Sequence, residues 1–121
     1  MRKLTNEERR VVLMLAAEIK SDDERHQLLA DLDHCMVEAT VPDGSILRFE
    51  IEGYQRPPGH GRGQYCGKNA FEVAGAVKDS DGSDMEVMLL ADANHRIWEF
   101  EIVRYDVGPV INPDWNTFRV K

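Results

Sequence analysis

Apolar and polar residues alternate through residues 96–113, RIWEFEIVRYDVGPVINP, until Gly108-Pro109 interrupts the pattern. Trp98, Phe100 and Ile102 fall on one side, and Glu99, Glu101 and Val103 on the other. That is the two-residue period of a half-buried β-strand. The same period recurs upstream. Cys35, Val37, Ala39 and Val41 alternate with His34, Met36, Glu38 and Thr40. After a Pro42-Asp43-Gly44-Ser45 turn, Leu47, Phe49 and Ile51 alternate with Arg48, Glu50 and Glu52, which predicts a β-hairpin. Phe71, Val73, Gly75 and Val77 alternate with Glu72, Ala74, Ala76 and Lys78. Residues 79–84 are Asp, Gly and Ser, a turn, and the nearly continuous apolar run 85–91 predicts a central strand.

Before the first strand the period changes to that of a helix. Val11, Val12, Leu15 and Ile19 form an apolar stripe, widened by Leu13 and Ala16. Thr5-Asn6-Glu7-Glu8 has the form of a capping box, so a helix is expected over residues 6–20. Ser21-Asp22-Asp23-Glu24 caps a second helix over 22–32, with Leu28, Leu29 and Leu32 as its buried stripe. Its early acids face the positive end of the helix dipole. The expected architecture is a single α+β domain over residues 1–121. Two N-terminal helices pack on one face of a five-stranded antiparallel meander sheet. Residues 107–121 wrap the domain in extended form, with Trp115 and Phe118 either stapling the tail to the core or offering aromatic anchors to a partner.

Charge narrows the classes of partner. Fifteen Lys and Arg stand against 22 Asp and Glu, a net charge of −7. Such a surface repels nucleic-acid phosphates and anionic lipid, and it suits a basic protein. The expectation is no nucleic-acid and no membrane partner. The apolar run at 11–17 is too short and too periodic for a signal or membrane segment, so a cytoplasmic location is expected. Cys35 and Cys66 then fit as reduced thiols, with a disulfide between them the alternative that parity allows. No cofactor is expected.

Residues 53–69, GYQRPPGHGRGQYCGKN, are the main candidate for chemistry. They are locally basic in an acidic chain, with Arg56, His60, Arg62 and Lys68. A connection of this length is either a contact loop, for a partner or an anion, or a plain hairpin connection. It lacks the phosphate-loop pattern, because Gly61 and Gly63 are followed by Gln64 rather than Lys-Ser. Asp79, Asp81, Asp84 and Glu86 do not fit a calcium loop: Gly82 stands fourth and Leu90 twelfth, where glycine sixth and glutamate twelfth are required. No two of His26, His34, His60 and His95 have metal-ligand spacing. His34 and Cys35, as strand neighbours, point to opposite faces and cannot act as base and nucleophile. Glu99 and Glu101, with Glu50 and Glu52, predict an acidic outward sheet face that steers a basic partner.

Three motifs carry a resemblance: Arg2-x-Leu4-Thr5-x-x-Glu8, Asp79-x-Asp81-Gly82 after a strand, and Tyr105-Asp106-x-x-Pro109-Val110-Ile111. In these the chain resembles a family of small bacterial cytoplasmic domains of unknown function, similar in size, charge and layout to immunity proteins of toxin systems. The glycine-rich loop departs from that pattern. The resemblance implies a protein that binds and neutralises a cognate toxin, and it supplies no catalytic residues. The partner-binding residues are then expected to be Glu50, Glu52, Arg56, His60, Arg62, Glu99 and Glu101. The alternative is a homo-oligomeric module, such as a homodimer, with small-ligand or anion binding at the loop a further option.

Overall fold

The computed structural model describes residues 1–58 and 71–121. Helix α1 spans Asn6–Ala16 and α2 spans Asp22–Leu32. The capping box forms as expected. Thr5 Oγ1 accepts the Glu8 N–H at 3.1 Å, and Glu8 Oε1 accepts the Thr5 N–H at 2.9 Å. Arg2 locks the same carboxylate with two guanidinium bonds, at 2.8 and 3.0 Å. α1 ends earlier than the periodicity suggests. Its final turn tightens, with Glu18 N–H on Leu15 O and Ile19 N–H on Ala16 O, and this tucks Ile19 into the core. Two residues assigned to buried stripes, Leu13 and Leu29, face solvent instead.

Among the described residues six strands follow, not five: β1 Cys35–Ala39, β2 Ile46–Ile51, β3 Ala74–Asp79, β4 Asp84–Ala91, β5 Ile97–Arg104 and β6 Pro113–Val120. Every pairing is antiparallel, in the order β1-β2-β5-β4-β3-β6. The expected β1–β2 hairpin forms, and the meander holds for β3-β4-β5, but β2 and β3 are not neighbours. Tight turns force neighbours in sequence to pair, but the long connection after β2 does not. It lets β2 pair with β5 and carries the chain across to β3 on the far side. The tail also departs from expectation. It forms β6, entering with Pro113 at the first strand position, where a missing N–H is tolerated.

Gly75 on β3 makes room for this last strand. A Cβ there would collide with the Phe118 ring and lie 3.0 Å from the Arg119 carbonyl. The other sheet edge, β1, is closed by Arg2, which exchanges both backbone hydrogen bonds with Val37.

One cluster of buried side chains joins Val11, Val12 and Leu15 of α1 and Leu28 and Leu32 of α2 to Phe49, Leu89, Phe100 and Phe118 of the sheet. A β-bulge between Leu90 and Ala91 changes how β5 is read. Leu90 pairs with Glu99 but Ala91 with Ile97, leaving Trp98 as the extra residue. Ile97 joins the core cluster, whereas Trp98, fully buried, lies under the guanidinium of Arg48. Strict alternation places Trp98 on the side of Phe100; the bulge turns it to the other.

Candidate functional site

The two ends of the sheet are each organised by a buried aspartate. At the end where β2 stops, Arg56 folds back over the strand it has just left. Its Nη2 donates to the Phe49 carbonyl at 2.6 Å and its Nη1 to Asp92 Oδ2 at 2.9 Å. The Tyr54 hydroxyl donates to the same oxygen at 2.6 Å. Asp92 Oδ1 accepts the backbone N–H of Asn94 at 2.9 Å and of Arg96 at 3.0 Å, the geometry of an Asx turn. Arg96 in turn makes a two-pronged pair with buried Asp31 of α2, at 2.8 and 2.7 Å. Its guanidinium lies 4.1 Å from the centre of the Tyr54 ring. Burial works to raise the Asp92 carboxyl, but bonds from Tyr54, the Arg96 N–H, Arg56 and the Asn94 N–H outweigh it and hold the group below the carboxylate range. Burial and the neighbouring carboxylate push Tyr54 upward. Two buried acids face two arginines, so the charges of this network balance.

At the opposite end Asp79, the last residue of β3, plays the same part. Its Oδ1 accepts the N–H groups of Ser80 and Asn112, and its Oδ2 those of Ile111 and the Arg104 guanidinium, all at 2.8 Å. The backbone bonds again overcome the upward push of burial and lower the carboxyl. Arg104 also holds Asp81 at 2.6 Å and pairs through Nε with Asp106. Asp43, in the β1–β2 turn, accepts the Val110 N–H at 2.9 Å. Residues 105–112, which connect β5 to β6, are therefore fixed at several points. Three aspartates share one arginine, so this end is locally anionic. From the fixed connection Val107, Ile111 and Tyr105 point outward, 98%, 61% and 59% exposed. Beside it opens a cleft of about 660 Å³, with Glu7, Asp43, Asp114 and Trp115 in its wall.

Of the residues expected to bind a partner, Glu50, Glu99 and Glu101 share one face of the β2–β5 pair by register, but they differ in exposure. Glu50 and Glu52 are exposed near the end of β2. Glu99 is not on a solvated face: it is 6% exposed and accepts two bonds from Arg48, at 3.2 and 2.8 Å. The register explains this, because Arg48 stands directly opposite Glu99 across β2 and β5. Glu101 is half-buried, and burial together with the Glu99 charge raises its carboxyl. Arg56 is committed to Asp92. His60 and Arg62, with Cys66 and Lys68, lie outside the described residues. Among the described residues no group of His, Cys, Asp and Glu is arranged to hold a metal ion.

Asp31, Tyr54, Asp92 and Arg104 were missed as organising residues. Asp31 had a signal, since it falls on the inward side of α2 between Leu28 and Leu32. Asp92-x-Asn94 had another, as an Asx-turn sequence. Nothing local marks Tyr54 or Arg104.

The fold and these two aspartate-centred ends define a small α+β domain whose helices cover one side of an antiparallel sheet. The chain belongs to the family described as Domain of unknown function (DUF6984), which matches residues 1–114. No curated protein and no solved structure matches it. The three sequence motifs lie inside the matched segment, and their charged residues have structural roles: Arg2, Thr5 and Glu8 cap α1, while Asp79, Asp81 and Asp106 converge on Arg104. No helix of the described residues is long and apolar enough to cross a membrane.

Proposed function

We propose that this protein is a binding domain that acts by docking onto another protein, in the manner of an immunity protein that neutralises a toxin. The supporting observation is that Asp79 and Asp92 each hold a surface connection in place by four hydrogen bonds. Loops fixed on a rigid sheet lose little conformational entropy on association, which favours recognition. A catalytic carboxylate needs a free oxygen and a pKa near the working pH. Both aspartates are instead filled with donors and lowered.

The test is capture with the tagged full chain from lysate of its own cells, followed by expression of the captured protein alone and together with this chain. The expected result is a single stoichiometric partner that is toxic alone and harmless in company. Self-association without a second protein, seen by light scattering, would replace this reading with the homo-oligomeric one.

A further inference from the structure

We infer that the β5–β6 connection is the docking epitope, and that its occupant is a protein presenting an apolar pocket ringed by lysine and arginine. The inference rests on the binding reading above. Two independent features of the connection point to it.

The first is apolar exposure on rigid backbone. Val107 and Ile111 are exposed although the chain around them is fixed at Asp106, Pro109, Val110, Ile111 and Asn112. Val110, between them, turns inward and is 8% exposed. The connection thus has one residue that anchors it and two whose side chains are largely exposed. Apolar anchors on pre-organised backbone are what the centre of a protein interface needs.

The second feature is charge. Asp79, Asp81 and Asp106 share Arg104, which leaves a net negative charge at the base of the connection. Asp43 adds to it, its carboxylate held by Ser45 and by the Val110 N–H rather than by a cation among the described residues. The neighbouring cleft brings Glu7 and Asp114 to the same end, with Trp115 to receive the stem of a long cationic side chain. A second copy of this chain would bring the same acids against themselves, and an anionic lipid surface would be repelled. A basic surface satisfies both features, and the field would speed its approach at low salt.

The test places a photo-reactive benzoylphenylalanine at Val107 of the full chain and, separately, at Glu52 near the other end of the sheet. Both variants are expressed in the protein's own cells, and the adducts are identified by mass spectrometry. Val107 is almost wholly exposed, so the substitution leaves the fold intact, which an unchanged melting midpoint verifies.

The expected result is an adduct from Val107 to a different protein at a lysine- and arginine-rich surface. Purified V107D should then compete for that protein at least tenfold less well than wild type, and binding should weaken steeply with added salt. An adduct to a second copy, to lipid or to an acidic surface would overturn the inference. An adduct from Glu52 alone would overturn the epitope and leave the binding reading standing. No adduct from either position would count against both.

Discussion

Asp92 and Asp79 sit at opposite ends of one sheet, each buried and each accepting four hydrogen bonds. Their surroundings differ in one respect. Around Asp92 the charges are matched: Arg56 and Arg96 meet Asp92 and Asp31, and Tyr54 lies against both guanidiniums. Around Asp79 they are not, since Arg104 serves three carboxylates. A matched network closes on itself and holds chain in place. An unmatched one holds chain equally well but leaves a field outside the molecule. The same device therefore yields a structural joint at one end and a steering surface at the other.

The comparison is broken most severely by D92A. It strips the partner from Arg56 and the acceptor from the Tyr54 hydroxyl and two N–H groups, so a loss of about 3–5 kcal/mol is expected in chemical denaturation. D79A should cost less, about 2–3 kcal/mol, because Arg104 retains Asp81 and Asp106. Hydrogen exchange distinguishes the two: D79A should deprotect Ile111 and Asn112, and D92A should deprotect Asn94 and Arg96. G75A acts on the same β3–β6 pair, at the end of β3 away from Asp79, by forcing Phe118 out of its seat, with about 2 kcal/mol lost.

Acid titration sharpens the comparison without changing the core. Both aspartates have folded pKa values below their unfolded ones. Their contribution is therefore complete above the unfolded value, about 3.9, and is lost as pH falls through the folded values. D79N and D92N should each flatten the stability curve in that acid range. E101Q should give the smallest effect and the opposite sign. The Glu101 carboxyl is raised, so its ionised form is disfavoured in the folded state and the cost is present at neutral pH. The variant should melt slightly higher at pH 7, and the gain should vanish in acid, where the wild-type side chain is protonated.

Local order was legible in the sequence and long-range order was not. The capping box at Thr5 and Glu8 and the periods of β1, β2 and β4 depend on neighbours a few residues apart, and these stand where the pattern placed them. Pairing of β2 with β5 depends on a connection whose path has no local signature. The tail was read as extended wrapping because Pro109 and Pro113 interrupt it; the seat at Gly75 that completes β6 lies far away in sequence. The bulge at Trp98 adds one residue to a regular alternation, which a period count cannot detect. The same limit governed the candidate site. Glu99 looks solvent-facing until Arg48 is placed opposite it, and the acidic end becomes visible only when residues 43, 79, 81, 104 and 106 are brought together.

The bulge also has a spectroscopic consequence. It separates the only two indoles of the chain. Trp98 is sealed beside Arg48 near the Asp92 end, and Trp115 is half-buried near the Asp79 end, with its ring 6.1 Å from that of Phe100. Intrinsic fluorescence is therefore a sum of two signals from two locations. A neutral quencher such as acrylamide should silence Trp115 first, and whatever covers the cleft should shield that component alone. The unmodified protein thus carries a reporter for each end.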